Sequence, residues 1–313
     1  MTAQTLAPPR SVVVSTRRRP AARMPETKPA WLFLAPFALF YIAFLLWPVI
    51  YMLIGSLFNT SIVKPGFGGF AGLANYREMF AKQEFRESLW HTAYFTILTT
   101  IPLVVLAFVF AILANRVKRG QGFFRLAFFV PYILPSASIA LIWVFIYTPA
   151  TGLLPLIQTK LGSLAPLPVL ATPNLAMIGI AVTTIWWTIG FNFIIYLAGL
   201  QDIPRELYEA AATDGASPFQ QIRNITLPML SRTTGLVILL QIIASLKIFD
   251  QVYLMTSGGP GTKTQVALGF IANTSFTDYR VGAASAASVI FFVLILIVGG
   301  IYQLYDRRQN RMA

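Results

Sequence analysis

The segment EAAATDG at Glu209–Gly215, followed after nine residues by ITLP at Ile225–Pro228, decides the fold of this chain. It lies in a charged stretch, residues 201–232, between two long apolar runs. Three successive alanines favour a helix and leave a smooth surface that another surface can approach closely. Gly215 is the natural left-handed stop for that helix, because glycine has no Cβ to clash at positive φ. The stretch therefore predicts two short helices joined by a sharp turn.

Capping signals set the expected ends of these two helices. Pro204 is predicted at the first helical position of the first one, where a missing N–H has no cost, and Glu206 follows at the positive end of the helix dipole. Ser217 and Gln220 are spaced as a capping box for the second helix. Pro228 is expected to end or kink that helix. On these signals alone, the stretch is a surface helical hairpin that links two membrane spans.

The complete pattern, E-A-A-x-x-x-G, nine residues and then I-x-L-P, resembles the cytoplasmic loop of the membrane subunits of ATP-binding-cassette importers. The resemblance implies that the short helix docks into a groove on a separate ATPase subunit. Exposed apolar side chains, expected at Leu207, Tyr208 and Phe219, would fill that groove, and charged side chains would surround them. The predicted ATPase-coupling residues are Arg205, Glu206, Leu207, Tyr208, Glu209, Ala210, Ala211, Asp214, Gly215 and Phe219.

The composition indicates an integral membrane protein. Of the 313 residues, 56% are hydrophobic and only 11% are charged. Apolar runs of about 20 residues, enough to cross a bilayer, recur along the chain. Such runs predict an all-α, polytopic fold, because lipid leaves backbone polar groups no partner outside the protein. The six predicted transmembrane helices are at about 31–58, 89–115, 126–147, 174–200, 233–254 and 281–305.

The distribution of Lys and Arg sets the expected orientation. Under the six-span assignment, 16 of the 24 basic residues lie on the side of both termini and of residues 201–232, and seven lie on the other side. The excess predicts that the first side is cytoplasmic. Residues 1–28 form a basic, Pro-rich tail, expected to be disordered ahead of a permease domain at 29–313. The net charge of +13 does not indicate nucleic-acid binding, because the charges flank spans instead of clustering on a soluble face.

Two charges interrupt the fifth predicted span. Lys247 and Asp250 are three residues apart, so a continuous helix would place them on one face. A charged residue inside a span is a functional hypothesis by default. The alternative is a local ion pair near the outer end of the span that needs no substrate.

The sequence contains no recognisable nucleotide-binding or catalytic motif. The segment GGPGTKT at Gly258–Thr264 superficially resembles a P-loop, but it lacks G-K-[ST] at the required spacing and lies on the predicted outer side. Neither an HExxH metal motif nor a Ser-His-Asp set occurs, and there is no cysteine for thiol catalysis. The sequence therefore predicts no cofactor on this chain, and the energy for active transport must come from a partner.

Spans four and five flank the charged stretch, and the resemblance implies that they line the passage for the solute. Trp187, Thr188 and Phe191 share one helical face in span four, and Gln241 and Ser245 share one in span five. Aromatic faces with a few amide and hydroxyl groups suit sugars, because rings stack on apolar sugar faces and polar groups bond to hydroxyls. The alternative is that these side chains only pack between helices. The predicted substrate-path residues are Trp187, Thr188, Phe191, Gln241, Ser245 and Ile248.

Further segments are similar to those of carbohydrate-importer permeases of the maltose and glycerol-3-phosphate type. They are Gly72–Tyr76, Arg125–Tyr132 and the Gly-Gly-Pro at 258–260, which extend the resemblance over about residues 70–305. The resemblance implies the transmembrane domain of a type I importer in the cell membrane, paired with a second, related permease in a heterodimer. The other implied partners are two ATPase subunits, which bind ATP and Mg, and an extracytoplasmic solute-binding protein that the outer loops receive.

Two other functions remain open on the sequence. An importer of a different solute would carry a related loop, so only the weaker segments argue for sugar. An ion-coupled secondary transporter would use Lys247 and Asp250 as its coupling pair, and its uptake would survive the loss of any ATPase. A membrane-embedded enzyme is disfavoured because no catalytic constellation appears in the sequence.

Overall fold

The computed structural model describes residues 27–64, 66–117, 120–149, 151–162 and 167–312. Apart from connecting turns and one isolated bridge between Phe58 and Phe70, these ranges are helical, which confirms the all-α prediction. The chain divides after Val49 into two units, and every site described below lies in the second, Ile50–Ala313. Residues 1–26 of the predicted tail lie outside the described residues.

In chain order the helices are α1 (Thr27–Tyr41), α2 (Trp47–Gly55), α3 (Ala74–Ala81), α4 (Gln83–Arg116), α5 (Gln121–Ile133), α6 (Ser136–Tyr147), α7 (Leu153–Lys160), α8 (Pro173–Gln201), α9 (Arg205–Thr213), α10 (Pro218–Gln221), α11 (Leu227–Met229), α12 (Ser231–Leu246), α13 (Asp250–Thr256), α14 (Ala267–Ala272) and α15 (Val281–Met312).

Four helices in the described ranges are long and apolar enough to cross a membrane: Phe33–Gly55, Gln83–Arg116, Pro173–Gln201 and Val281–Leu304. Two bent helix pairs raise the number to six if each pair is counted as one span. α8 matches the predicted fourth span to within a residue at each end, whereas α4 begins six residues before the predicted start at 89. The first pair is Gly122–Ile133 with Ser136–Tyr147, and the second is Pro218–Met229 with Ser231–Leu246, bent by 66°. The polytopic membrane fold is therefore confirmed, and its second bent pair begins inside the stretch 201–232.

The third predicted span is not one helix. α5 and α6 are separated by Leu134 and Pro135 and are bent by 96°. Pro135 lacks an N–H and disfavours a helical conformation in the residue before it, which accounts for the break. Trp187 Nε1 in α8 donates to the carbonyl oxygen of Leu134 at 3.2 Å. A neighbouring helix thus satisfies a backbone group next to the break, as a broken helix at membrane depth requires.

The fifth predicted span is also broken. α12 ends at Leu246 and α13 begins at Asp250, with Phe249 between them at φ −147°. The prediction that Lys247 and Asp250 share the face of a continuous helix is therefore wrong. The structure also gives no support to a local ion pair between them, because the described ion pairs are Lys82–Glu84 and Glu78–Arg280.

The main core forms where α4, α8 and α12 pack together. Leu103 of α4, Phe193 and Tyr196 of α8 and Val237 of α12 are fully buried in one cluster. A second cluster joins α4, α6, α8 and α13, centred on the buried Phe95 and Ile180. Because α8 belongs to both clusters, it is the helix that the others are arranged around.

Gly190 lets α8 cross α5 so closely that the backbones of the two helices are in contact. A Cβ at this position would overlap the carbonyl oxygen of Phe128. We expect Gly190→Ala to lower the free energy of unfolding by about 1–3 kcal/mol, the usual cost of overpacking. The measurement is the thermal unfolding midpoint of the purified protein in detergent. Gly300→Ala is the matched control, because Gly300 is helical and its Cβ would meet no atom within 4 Å; equal midpoints for the two variants would contradict the close crossing.

A bidentate ion pair fixes α3 to the start of α15. Arg280 Nη1 and Nη2 donate to Glu78 Oε1 and Oε2, each at 2.6 Å. The hydrogen bonds from Arg280 hold the pKa of Glu78 below its ordinary value of 4.5. The native state therefore favours the charged carboxylate. This stabilisation is complete above the ordinary pKa and is lost as the pH falls through the lowered pKa.

We expect Glu78→Gln to remove this part of the pH dependence of stability. Both side chains are more than 40% exposed, so water screens the pair and its contribution is at most about 1 kcal/mol. Unfolding midpoints from about pH 7 to about pH 3 should show the advantage of the wild type over the variant disappear at the acid end. Glu84→Gln should follow the wild type, because Glu84 is 3.4 Å from Lys82 and 58% exposed. Parallel curves for wild type and Glu78→Gln would refute this role.

Candidate functional site

A Schellman motif closes α9 at its C-terminal end. Gly215 has φ +80°, the left-handed conformation that the sequence predicts. Its N–H bonds to the carbonyl oxygen of Ala212 at 3.1 Å, and the N–H of Ala216 bonds to the carbonyl oxygen of Ala211 at 2.8 Å. These two bonds satisfy carbonyl groups at the end of α9 and reverse the chain within a few residues.

The starts of the two short helices follow the sequence signals closely. Pro204 is the N-cap of α9, one position earlier than predicted, so the first helical residue is Arg205. The capping box of α10 is confirmed: the N–H of Ser217 donates to Gln220 Oε1 at 2.7 Å, and the N–H of Gln220 donates to Ser217 Oγ at 3.4 Å. The second helix continues through a wider turn at Ile222–Thr226 and ends in α11, directly after Pro228.

Tyr208 faces the body of its own chain. Its hydroxyl group shares a hydrogen bond with Thr226 Oγ1 at 2.9 Å, and its ring packs against the main core. The prediction that Tyr208 is exposed for a partner's groove is therefore wrong. The side chain instead ties α9 to the second short helix, which an apolar body with a polar tip can do at the edge of a core.

Four large apolar side chains of the two short helices are exposed. Leu207 is 42% exposed and Phe219 is 71% exposed, as predicted. Leu227 and Met229, which the sequence analysis missed, are 46% and 50% exposed. Among the other predicted coupling residues, Ala211 is half-buried, and the exposed ones are Arg205, Glu206, Glu209, Ala210, Asp214 and Gly215. We call Leu207, Phe219, Leu227 and Met229, with these exposed residues, the coupling surface.

The two long helices that flank the coupling surface are in close contact. A Cβ on Gly199, near the end of α8, would come within 2.8 Å of Thr233 Oγ1 in α12. Ile203 and Leu230, at the two ends of the loop, are 6% and 1% exposed and belong to the main core. Because close-packed interiors transmit displacement, a shift of the coupling surface would move the ends of α8 and α12 together.

A cavity of about 560 Å³ opens between the end of α5, α8, α12 and the break that follows α12. We call it the central cavity. Ile248 lines it from the break after α12 and not from a helical face. The residues that the sequence analysis placed in the substrate path all line it: Trp187, Thr188, Phe191, Gln241, Ser245 and Ile248.

One wall of the central cavity is aromatic. Tyr132, from α5, stacks on Phe191 with ring centroids 5.2 Å apart and lies 6.3 Å from the ring of Trp187. Tyr132 was not among the predicted substrate-path residues, because the break that brings α5 to this wall was not foreseen. Such a wall offers flat apolar faces to a ligand.

A row of buried polar side chains crosses from α8 through α12 to α4. Asn192 Nδ2 donates to Gln241 Oε1 at 3.1 Å, Gln241 Nε2 donates to Ser245 Oγ at 3.0 Å, and Ser245 shares a hydrogen bond with Thr99 Oγ1 at 2.9 Å. Asn192 Oδ1 has no hydrogen-bond partner in the part of the chain that the structure describes. Asn192 also lines the central cavity. Asn192 was not among the predicted residues, although an amide one turn after Thr188 in an apolar span was a usable signal.

The two charges of the fifth span both line the central cavity. Lys247 is exposed there, directly after the last residue of α12. Asp250 Oδ2 accepts a hydrogen bond from Ser136 Oγ at 2.9 Å. Ser136 begins α6 and Asp250 begins α13, so this bond connects the two helix breaks. The cavity therefore offers aromatic faces, amide and hydroxyl groups, and one charge of each sign to a polar solute.

Comparison with known proteins places the chain in a family. Residues 104–311 match the family of binding-protein-dependent transport system inner membrane components. The chain is 34% identical over 272 residues to the trehalose/maltose transport system permease protein MalF of Thermococcus litoralis, which covers 87% of this chain and 91% of the relative. It is 31% identical over 270 residues to the sn-glycerol-3-phosphate transport system permease protein UgpA of Agrobacterium fabrum, covering 85% and 90%.

A solved structure shares the fold. A chain of a bacterial alginate ABC transporter, in complex with an alginate pentasaccharide-bound periplasmic protein, superposes with a TM-score of 0.79 at 23% sequence identity. The match covers 90% of this chain and 96% of the other. The chain therefore belongs to the family of inner membrane components of binding-protein-dependent transport systems, and it is a multi-pass membrane subunit of a transporter.

Proposed function

We propose that this chain is one transmembrane permease subunit of an ATP-driven importer for a sugar or a sugar derivative. The observation that carries the proposal is the central cavity, where an aromatic wall faces a row of amide and hydroxyl side chains. Rings stack on the apolar faces of sugars and the polar row bonds to their hydroxyl groups. The names of relatives that are 31% and 34% identical, which refer to glycerol-3-phosphate, trehalose and maltose, support the same substrate class.

The coupling surface is where the free energy of ATP hydrolysis on the ATPase subunits reaches this chain. Its exposed apolar side chains, Leu207 and Phe219, suit a groove on an ATPase subunit, and the exposed charges around them suit a polar rim. The tight contact between α8 and α12 beside the loop carries a displacement from the ATPase to two walls of the central cavity. Binding and hydrolysis of ATP with Mg take place on the partner subunits.

The assembly contains more than this chain. A second, related permease completes the passage in a heterodimer, two ATPase subunits bind on the cytoplasmic side, and a solute-binding protein docks on the outer loops. The excess of Lys and Arg supports a cytoplasmic location for both termini and for residues 201–232. Membership of a binding-protein-dependent family speaks against the ion-coupled secondary transporter that the sequence left open.

Purification from native membranes, followed by reconstitution, tests this function. An ATPase and a related permease should copurify, and proteoliposomes that hold the complex and its binding protein should take up a sugar only when ATP is supplied. Uptake by the chain alone that persists without ATP and collapses with an uncoupler would overturn the proposal. ATP-driven uptake of an amino acid or a metal ion, with no uptake of any sugar, would reassign the substrate class.

A further inference from the structure

A second cavity, of about 250 Å³, lies between residues 201–232, which we call the coupling loop, and the ends of α4 and α8. Asn115 and Arg116 of α4 line it on one side, and Tyr208, Gln221 and Thr226 line it from the loop. We propose that this cavity binds the phosphate group of an anionic phospholipid headgroup. The site does not depend on which solute the protein transports.

Arg116 and Asn115 supply the polar recognition. Both side chains are exposed, and neither forms an ion pair or a side-chain hydrogen bond among the residues that the structure describes. A guanidinium group binds two phosphate oxygens at once through its planar pair of N–H groups. Among the residues that the structure describes, no acidic side chain lines the cavity, so no carboxylate there competes for Arg116.

The other walls are apolar, which favours a lipid over a free anion. Ile112, Leu200 and Ile222 line the same cavity as Arg116. A free phosphate would place strongly hydrated oxygens against these side chains without compensation, and that is unfavourable. A phospholipid meets both demands, because its phosphate contacts the polar side while its glycerol and first methylene groups cover the apolar side.

The position of the cavity fits a headgroup. It lies at the ends of α4 and α8, two helices long and apolar enough to cross a membrane. The ends of a spanning helix are expected where a bilayer changes from hydrocarbon to polar headgroups. Basic pockets at this depth are typical sites for anionic headgroups. The carbonyl ends of α4 and α8 oppose an anion through the helix dipole. Among the described lining residues, Arg116 is the one that supplies positive charge.

A lipid in this site would act on the coupling loop. It would contact Tyr208 of α9 and Gln221 of α10 together with the end of α4. A ligand that binds one arrangement of these elements stabilises that arrangement in proportion to its occupancy. Anionic phospholipid should therefore favour the loop position seen here and raise the rate of solute-stimulated ATP hydrolysis by the assembled transporter.

The experiment uses the complete transporter in nanodiscs of phosphatidylcholine, alone or with about a quarter phosphatidylglycerol. Phosphatidylglycerol that remains bound after detergent extraction is quantified by mass spectrometry, and ATP hydrolysis is measured in the same discs. Arg116→Gln should retain about fivefold less phosphatidylglycerol than wild type, the change expected from one basic residue at a membrane surface, and should lose the lipid-dependent activation. Asn115→Ala should reduce retention without altering any charge, and it keeps the test decisive if Arg116→Gln does not fold.

Arg125→Gln is the matched control. Arg125 is exposed and near in sequence, but it does not line the cavity. Wild-type retention and activation in this variant would support the site, whereas an equal loss in Arg125→Gln and Arg116→Gln would show a general effect of surface charge and overturn it. A third arm adds inorganic phosphate to phosphatidylcholine discs. Full activation by phosphate alone would identify a free anion as the ligand and would also overturn the proposal.

Discussion

Gly215→Val should reduce ATP-driven uptake by more than about tenfold while the protein still inserts into the membrane. Gly215 has φ +80°, and a Cβ there would meet no atom within 4 Å, so the obstacle is conformational and not a lack of space. A β-branched residue at positive φ is strained by about 1–3 kcal/mol, and about 1.4 kcal/mol corresponds to a tenfold change in population. The strain would displace α9 from its Schellman turn. Uptake into proteoliposomes measures the effect, and membrane extraction checks insertion.

Gly215→Asn is the control for this experiment, because asparagine tolerates the left-handed conformation. It should keep most of the wild-type uptake. Glu209→Lys, which reverses an exposed charge on the coupling surface, should lose uptake without any change in the turn. Wild-type uptake by both Gly215→Val and Glu209→Lys would count decisively against a role of the loop in coupling.

Trp187→Ala should lower uptake at a low, fixed solute concentration by about tenfold. Trp187 lines the central cavity beside Tyr132, and its Nε1 donates to the carbonyl oxygen of Leu134. The substitution removes a large aromatic face from the passage and a hydrogen bond beside the helix break, losses of about 1–2 kcal/mol together. Trp187→Phe should have a smaller effect because it keeps a ring. The measurement is the initial rate of ATP-driven uptake.

Trp186→Ala separates a role in the passage from a general packing effect. Trp186 is the adjacent residue on the same helix, but it packs against Trp143, with ring centroids 5.6 Å apart, and does not line the central cavity. Its substitution should leave uptake within about twofold of wild type per folded molecule. If Trp186→Ala and Trp187→Ala lose uptake equally, the central cavity is not the route of the solute.

Local signals predicted the coupling loop well because its chemistry is local. The left-handed glycine and the Ser217–Gln220 capping box each depend on a few neighbouring residues, and both are present in the structure. The orientation of Tyr208 could not be predicted, because it depends on Thr226 and on a core built by three distant helices. For an aromatic residue in an exposed helix, no neighbouring sequence signal shows whether the side chain faces the protein or the solvent.

The two helix breaks show the limit of apolar patterning in a membrane protein. In span three nearly every position is apolar, and in span five polar residues are scattered among apolar ones, so hydropathy gives the length of the run but not its continuity. Pro135 offered a sign of the first break, whereas Lys247–Phe249 contains neither proline nor glycine. The composition of the central cavity was nevertheless predictable, because Trp187, Thr188 and Phe191 share a face of an unbroken helix.

The most direct test of the account is a position-specific cross-link from the coupling surface. The chain has no cysteine, so a single introduced cysteine carries a maleimide photo-cross-linker at one known place on this subunit. Phe219→Cys is the probe and Phe276→Cys the control, because these side chains are 71% and 70% exposed but lie on opposite predicted sides of the membrane. In the assembled transporter, the label at position 219 should cross-link to the ATPase subunit and the label at position 276 should not. A label at 219 that captures no ATPase, or a cysteine at 219 that reacts with an impermeant reagent from outside the cell, would contradict the account.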